Sequence, residues 1–232
     1  MSITGKTIVR KLCPPIIWQG LQSIKRGIAP NQNRSGDDQE LDVYWTKEIE
    51  EELETWGEDN AWREIQFLFL NCRGKVLDIA CGTGKVMEIL KKFPELEVHG
   101  CDISDFLINK ATERGLDPAL LKVCDATTTG YQDKSFDYSY SIGSLEHFTE
   151  DGISAFLLEA KRITKRGSFH QIPVSRGDDE GWISPFQSYF NNTVDWWLPK
   201  FRSVFSEVIV LPSNWSDNRS IGMWFLCLCD PD

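Results

Sequence analysis

Three acidic residues follow apolar, strand-like runs at points where a ligand could bind. Asp78 lies within VLDIACGTG, Asp102 ends VHGCD, and Asp125 ends LKVCD. The carboxyl ends of neighbouring parallel strands share one edge of a sheet, where open α/β folds bind their ligands. We therefore expect the three carboxylates to face one ligand. Asp78 suits an ammonium group, directly or through water, Asp102 suits the two hydroxyls of a ribose, and Asp125 suits the amino group of an adenine.

The turn after the first run argues against two phosphate-binding sites. It has Gly82 and Gly84, but alanine stands at position 80 and residues 85–87 contain no glycine, so the dinucleotide spacing GxGxxG is missing. Gly84-Lys85 is followed by Val86, so the GK[ST] of a P-loop is missing too. These absences disfavour an NAD(P)-dependent oxidoreductase. A ligand with an ammonium, a ribose and an adenine, but no phosphate, fits better, and S-adenosylmethionine has this composition.

Four blocks resemble the class I S-adenosylmethionine-dependent methyltransferases, in particular the small-molecule branch called methyltransferase type 11. They are VLDIACGTG, GCDIS, VCDAT and FDYSYSIGSLEHF, within a resemblance that covers roughly residues 61 to 229. The resemblance implies S-adenosyl-L-methionine as cofactor. It implies a cofactor site formed by Asp78, Ala80, Gly82, Gly84, Asp102, Ile103, Asp125, Ala126 and Ser141. Ala80 departs from the glycine usual in the family, and we expect it to be tolerated if its backbone stays in an allowed region.

Each carboxylate also has a structural alternative. Asp78 could cap the turn that follows it, and Asp102 could cap the helix that opens at Ser104. Asp125 could simply end a strand at the surface.

The loop after the fourth strand supplies the candidate catalytic residues. Methyl transfer is an in-line displacement, so alignment and exclusion of water should provide most of the rate. An alcohol acceptor also needs a base for its proton. SIGSLEHF offers Glu146 and His147, and the resemblance places this loop beside the transferred methyl. His147 either acts as a base or orients the acceptor, or else it stacks on adenine or caps the next helix. Glu146 is the other candidate base.

Acceptor binding is predicted for residues that are mostly aromatic. They are Tyr44, Trp45, Trp56, His170, Arg176 and Trp182. The aromatic residues either cover the acceptor or attach helices to the sheet. His170, in SFHQIPV, either points into the cleft or is satisfied within the sheet. Arg176 pairs either with a phosphate or carboxylate of the acceptor or with Asp178 or Asp179.

The basic leader and the C-terminal NWSDNRSIGMWFLCL resemble methyltransferases of bacterial surface-polysaccharide pathways. This resemblance implies polysaccharide biosynthesis as the setting, with O-methylation of a sugar, a sugar nucleotide or a small phosphorylated precursor. Two alternatives stay open. One is N-methylation of a small amine or phospho-amine, and the other is a catalytically inactive, cofactor-binding partner subunit.

Strands alternate with helices after Gly74, which predicts a parallel sheet with helices on both faces. The predicted strands span 75–80, 97–103, 119–125, 136–142, 167–174, 206–212 and 221–229, and the clearest helix spans 151–165. The last two strands are joined too closely for a crossover helix, so they should pair antiparallel. The expected fold is α/β, a Rossmann-like three-layer sandwich whose seven-stranded sheet is mostly parallel with an antiparallel last strand.

Charge divides the chain into a basic segment and an acidic body. Residues 1–36 carry six basic and no acidic side chains, whereas the formal net charge of all 232 residues is −10. We interpret 1–36 as a basic amphipathic segment, 37–73 as a helical cap, and 74–232 as the methyltransferase domain with an acceptor lid around 175–192. The acidic balance argues against a nucleic-acid partner.

The basic segment suggests where the protein acts. Apolar and basic residues interleave over 5–28, which permits peripheral contact with an anionic membrane. The alternative is a tail that packs on the domain or stays loose. Seven cysteines without CxxC spacing, together with only three histidines, favour reduced thiols and no metal site. We expect a cytoplasmic protein, with the inner face of the membrane as an alternative location.

Overall fold

A computed structural model describes residues 41–177, 181–183 and 189–229 of this chain. The predicted basic segment 1–36, with its membrane contact over 5–28, lies outside the described residues. Within the described ranges, no helix is long and apolar enough to cross a membrane.

Six α-helices and nine β-strands are described. The helices are α1 Lys47–Leu53, α2 Ala61–Leu68, α3 Lys85–Leu90, α4 Asp105–Glu113, α5 Glu150–Ile163 and α6 Val194–Val204. The strands are β1 Gly74–Ile79, β2 Leu96–Asp102, β3 Leu121–Val123, β4 Phe136–Ile142, β5 Thr164–Ser175, β6 Gly181–Ile183, β7 Tyr189–Asn191, β8 Glu207–Ser216 and β9 Ser220–Leu228. Short 3₁₀ helices span Asp42–Trp45, Pro118–Leu120 and Leu145–His147.

Seven strands form the central sheet in the order β3-β2-β1-β4-β5-β9-β8. The pairs from β3 to β5 are parallel, whereas β9 runs antiparallel to both of its neighbours, β5 and β8. This confirms the predicted mostly parallel sheet and its antiparallel last strand. β6 and β7 form a separate two-stranded sheet within the segment predicted to be an acceptor lid.

Several boundaries differ from the sequence prediction. β4 spans the predicted residues, but β3 is shorter because Pro118–Leu120 forms a 3₁₀ helix before it. The predicted helix 151–165 ends at Ile163, and Thr164 already begins β5. β-Branched Thr164 is fully buried and its hydroxyl lies 2.8 Å from that of Ser139 on β4, so tertiary contact draws this residue into the sheet.

Helices cover both faces of the sheet, as the predicted three-layer sandwich requires. On one face, α5 and α6 bury large apolar side chains that include Phe156, Trp197 and Phe201. On the other, α2, α3 and α4 bury a second cluster that includes Trp62 and Met87. Successive residues of a strand point to opposite faces, so neighbours in sequence contact different helices. This division decides which side chains reach the functional site.

Candidate functional site

The loop after β1 has a backbone that only small residues fit easily. Gly82 and Gly84 have φ of 54° and 72°, in the left-handed region that favours glycine. A Cβ on Gly84 would collide with Leu116 and lie 3.0 Å from Cβ of Ala111. A Cβ on Gly82 would lie 2.9 Å from Leu53. The loop therefore brings its backbone close to neighbouring elements, and any ligand in this turn can approach backbone N–H groups.

Ala80 also adopts a left-handed conformation, with φ of 61°. The region is allowed but small for residues with a Cβ, and it costs an alanine about 1–2 kcal/mol relative to the right-handed form. The loop thus keeps a glycine-like shape at the position where glycine is missing.

A cleft of about 360 Å³, including the space at its mouth, opens above this loop. Its apolar and aromatic lining includes Leu53, Trp56, Trp62, Val86 and Ile142. Asp78, residues 80–83 and Lys85 also line it. An acidic side chain thus shares the cleft with a largely apolar and aromatic wall.

Asp78 is a buried carboxylate with a specific partner. It is 3% exposed, and the hydroxyl of Tyr140 on β4 donates a 2.8 Å hydrogen bond to its Oδ2. Burial raises the pKa of Asp78 well above its ordinary value, and the hydrogen bond from Tyr140 opposes that rise. The structure therefore places Asp78 at the cleft, where the sequence predicted a ligand contact.

Asp102 connects the glycine loop to the start of α4. Its Oδ2 accepts a 2.9 Å hydrogen bond from the backbone N–H of Gly82, and its Oδ1 accepts one of 2.9 Å from that of Ser104. The Ser104 hydroxyl caps α4 itself, accepting from the N–H of Leu107. Burial raises the pKa of Asp102, opposed by these backbone hydrogen bonds. Each oxygen keeps another lone pair for a ligand hydroxyl. Ile103, the next residue, is half-buried.

Asp125 and Ala126 lie after β3, outside the wall of the cleft described above. Asp125 is exposed, and its Oδ1 accepts 2.7 Å hydrogen bonds from both the N–H and the hydroxyl of Thr127. Ala126 is buried against the α5 face. The structure thus gives Asp125 the local role of holding a turn, and the N–H of its neighbour Cys124 donates a hydrogen bond to the carbonyl oxygen of Asp102.

Glu146 and His147 lie in the 3₁₀ helix that follows β4. Glu146 is 4% exposed, and its Oε2 has no hydrogen-bond partner among the described residues. Burial raises the pKa of its carboxyl to about 8. Nε2 of His147 lies 3.8 Å from Oε1 of Glu146. A Cβ on Gly143 would lie 3.5 Å from Oε1 of Glu146 and 3.2 Å from the Trp56 ring, so this carboxyl lies close to a residue that lines the cleft.

The side chains of His170 and Ser141 lie in the core, which for His170 is the alternative that the sequence left open. His170 is fully buried on the α5 and α6 face, with its ring between those of Phe156 and Phe201. Its Nδ1 lies 2.8 Å from the hydroxyl of Ser141, and its Nε2 lies 2.9 Å from that of Ser168. Burial lowers the pKa of His170 to about 3. Both side chains therefore belong to the core on the face away from the cleft.

The other residues predicted to bind the acceptor lie in different parts of the structure. Trp56 lines the cleft. Tyr44 and Trp45 instead attach the chain before α1 to α4, since the Ser104 hydroxyl donates to the Tyr44 carbonyl and Trp45 Nε1 donates to Asp105. Arg176 is exposed and donates to the Asp217 carbonyl. Its predicted partners Asp178 and Asp179, and the side chain of Trp182, lie outside what the structure describes.

Three features were missed by the sequence prediction. Glu54, after α1, accepts a 2.9 Å hydrogen bond from Thr83 of the glycine loop and pairs with Arg114 after α4. Lys85 lines the cleft, and its place directly after Gly84 was the available signal. Gln171 on β5 is buried without a partner for its carboxamide in the described chain, and no sequence signal marked it.

The described residues contain no cluster of three or more histidine, cysteine, aspartate or glutamate side chains arranged to hold a metal ion.

Comparison with known proteins identifies the type of domain. Residues 76–167 match a family described as "Methyltransferase domain". The chain is 29% identical to the demethylmenaquinone methyltransferase of Thermotoga maritima over 156 residues. This alignment covers 66% of each protein. It is 33% identical to a ubiquinone/menaquinone biosynthesis C-methyltransferase of Burkholderia mallei over 125 residues. This alignment covers 50% of each protein. The chain thus spans between half and about two thirds of these relatives.

A solved structure shares the fold at low sequence identity. It is the 1,6-didemethyltoxoflavin-N1-methyltransferase of Burkholderia thailandensis, with bound S-adenosylhomocysteine. The TM-score is 0.61 at 14% identity, over 94% of this chain and 91% of that chain. The likeness concerns the architecture of the sheet and helices.

Proposed function

We propose that this chain, which carries an S-adenosylmethionine-dependent methyltransferase domain of class I over residues 76–167, methylates a hydroxyl-bearing small molecule. The observation that carries the proposal is the buried carboxyl of Glu146, whose Oε2 has no partner in the described residues and whose Oε1 lies close to the cleft-lining Trp56. A base in this position is what a neutral hydroxyl acceptor needs.

The residues around the cleft fit the cofactor. Gly82 and Gly84 leave room for close approach of a ligand to the backbone, and Asp78 offers a carboxylate in the lining of the cleft for an ammonium group. Asp102, fixed by two backbone N–H groups, has lone pairs left for ribose hydroxyls. When bound, S-adenosylmethionine supplies a methyl group already activated by a sulfonium.

Glu146 has the chemistry of a general base. A carboxyl with a pKa of about 8 is a much stronger base than an exposed glutamate, and near neutral pH its affinity for a proton suits transfer from a hydroxyl. With an acceptor bound, Glu146 would take the proton of the acceptor hydroxyl at Oε2, which would make that oxygen more nucleophilic toward the methyl group that the cofactor supplies. His147, 3.8 Å from Oε1, orients the carboxyl or the acceptor.

Two kinds of acceptor satisfy this chemistry. The first is a sugar hydroxyl, for O-methylation, including the nucleotide-linked sugars expected from the sequence. The second is a hydroxyaromatic ring, whose ionised hydroxyl promotes methylation at a ring carbon. Trp56, Trp62 and Leu53 favour the second because a flat ring can pack on this wall. The two relatives are named as quinone-pathway methyltransferases, which also supports this alternative.

A labelled-methyl assay with sugar nucleotides, hydroxyquinones and phospho-amines tests the proposal. We expect transfer to a hydroxyl-bearing acceptor and a kcat/KM that rises with pH and levels off above about pH 8, as Glu146 ionises. Glu146→Gln should lower transfer about 10²–10⁴-fold and leave S-adenosylhomocysteine affinity unchanged. Glu207→Gln, at an exposed position on β8, is the matched control.

Three results would count against the proposal. Transfer to amines alone would favour N-methylation. Cofactor binding without transfer to any acceptor would favour the inactive partner subunit. Full activity in Glu146→Gln would remove this carboxyl from the mechanism.

A further inference from the structure

Gln171, on β5, has a buried carboxamide with unused hydrogen-bonding capacity. The residue is 1% exposed, and neither Nε2 nor Oε1 has a hydrogen-bond partner in the described part of the chain. Buried polar side chains almost always have partners, because leaving a donor or acceptor unpaired costs folding free energy. An exception of this kind requires an explanation in the function of the protein.

The carboxamide leans toward the ligand-binding edge of the sheet. Gln171 pairs with Trp224 of β9, but its Nε2 lies over Gly222, which pairs with Pro173 two residues nearer the carboxyl end of β5. A Cβ on Gly222 would lie 2.6 Å from Nε2 of Gln171 and 2.9 Å from Oγ of Ser213 on β8. Gln171, Ser213 and Gly222 therefore enclose a small polar space, which we call the polar notch.

The strand pairing of β5 brings Gln171 beside the cleft. The partner of Gln171 on β4 is Ile142, which lines the cleft and whose side chain shares that face of the sheet. The backbone N–H of Gly143 donates a 3.0 Å hydrogen bond to the carbonyl of Gln171, and Gly143 lies against Trp56 and Glu146. The backbone of Gln171 is thus bonded to a residue that lies beside the carboxyl proposed to act as base.

We propose that Gln171 determines acceptor specificity by binding two neighbouring oxygen atoms of the acceptor, accepting from a hydroxyl with Oε1 and donating to the second oxygen with Nε2. This inference rests on the proposed function and narrows its acceptor class. A vicinal diol of a sugar and an ortho-dihydroxy aromatic ring share this chemistry. Since the carboxamide is buried, the acceptor must displace a covering side chain to reach it.

Pairs of acceptors that differ in one oxygen test the inference. Catechol against phenol represents the aromatic source, and a methyl glucoside against its 3-deoxy analogue, which has no vicinal diol, represents the sugar source. The wild type should prefer the acceptor with paired oxygens by at least about tenfold in kcat/KM in one of the two pairs. In Gln171→Met, which keeps the side-chain length without the polar atoms, that preference should fall to within about twofold.

Two further measurements separate this role from a structural one. S-Adenosylhomocysteine affinity should be unchanged in Gln171→Met, and the melting temperature of the ligand-free protein should rise by about 2 °C or more, because the unpaired groups are gone. Gln132→Met, at an exposed position, is the matched control and should change neither property. A residue needed for packing would instead lower the melting temperature on substitution.

The outcomes distinguish the two proposals. A wild-type enzyme that methylates phenol and catechol, or both sugars, without preference would overturn the role of Gln171 and leave the proposed function standing. The role of Gln171 would also be overturned if Gln171→Met kept the preference for paired oxygens, or if its melting temperature were lower than that of the wild type. A wild type that bound S-adenosylhomocysteine but methylated none of the four acceptors would overturn the proposed class of hydroxyl acceptors. The proposed role of Gln171 would fall with it, because it rests on that class.

Discussion

Two buried polar side chains on the β4–β5 side of the sheet's carboxyl edge leave atoms without a partner, whereas those on the β1–β2 side are all partnered. Asp78 accepts from Tyr140, and both oxygens of Asp102 accept from backbone N–H groups. After β4 and within β5, Glu146 and Gln171 account for three of the five buried side-chain polar atoms without a partner in the described residues. The remaining two belong to Ser135, before β4, and Trp197, on α6.

The difference suggests that the two sides are built for ligands of different kinds. Partnered carboxylates are fixed in place, so a constant ligand meets a site whose geometry is already set. Unpartnered groups destabilise the ligand-free protein, and an acceptor that pairs with them would remove that cost. Under the proposed function, the β1–β2 side would bind the cofactor and the β4–β5 side would bind the acceptor.

The largest expected effect is a pH-dependent loss of stability caused by the buried carboxyl of Glu146, on the β4–β5 side. A glutamate in the unfolded chain ionises near pH 4–5, whereas folded Glu146 keeps its proton up to about pH 8. Between these values the folded state binds more protons, so the free energy of unfolding should fall as pH rises, by about 4 kcal/mol at most between pH 5 and 8. Glu146→Gln should remove this component in urea titrations across that range. Parallel pH profiles for wild type and variant would show that Glu146 ionises normally in the folded protein.

Asp102→Ala should lower both the stability of the protein and its affinity for the cofactor, by removing a partnered carboxylate on the β1–β2 side. The N–H groups of Gly82 and Ser104 would lose their acceptor, so unfolding free energy should drop by about 3 kcal/mol and cofactor affinity by about 10–100-fold. Calorimetry with S-adenosylhomocysteine and urea denaturation measure the two effects, and Asp195→Ala, exposed in the first turn of α6, is the control. Unchanged affinity together with lost stability would reduce Asp102 to a structural role.

The sequence predicted that Asp78 and Asp102 lie near the same glycine turn, because the signals for this placement are local. A carboxylate at the end of an apolar run, followed by a glycine turn, places Asp78 and Asp102 at one edge whatever the details of packing. Asp125 has the same sequence signal, but its neighbour Thr127 satisfies it locally, and the sequence does not distinguish a turn from a ligand contact.

The sequence left the place of His170 open because the faces of a fully buried strand cannot be told apart from its composition. The residues of SFHQIPV are buried on both faces, so alternation gives no sign of which face meets the cleft. His170 lies in the core with Ser141, whereas Gln171 lies beside Ile142 on the opposite face. A shift of one residue thus exchanges a core histidine for the candidate acceptor residue.

Tyr140→Phe should lower stability by removing one hydrogen bond to Asp78 on the β1–β2 side. The buried carboxylate of Asp78 would lose its donor at 2.8 Å, and unfolding free energy should fall by about 1.5 kcal/mol, as for a hydrogen bond to a charged group. Urea denaturation measures this change. Tyr138→Phe, on the same strand, is the control because its hydroxyl does not contact Asp78. Equal stability of wild type and Tyr140→Phe would mean that Asp78 is protonated or otherwise satisfied in the ligand-free protein.

Ala80→Gly should give the smallest effect and test how finely the cofactor loop is set. Glycine removes the cost of φ 61° but adds conformational entropy to the unfolded chain, so the net gain in unfolding free energy should be about 0.5–1 kcal/mol. Lys134→Gly relieves a similar φ of 54° in the loop before β4, outside the residues that line the cleft. Both variants should gain stability, but only Ala80→Gly should change S-adenosylhomocysteine affinity in calorimetry. Equal affinities in the two variants would mean that the shape of the loop at position 80 does not matter to the ligand.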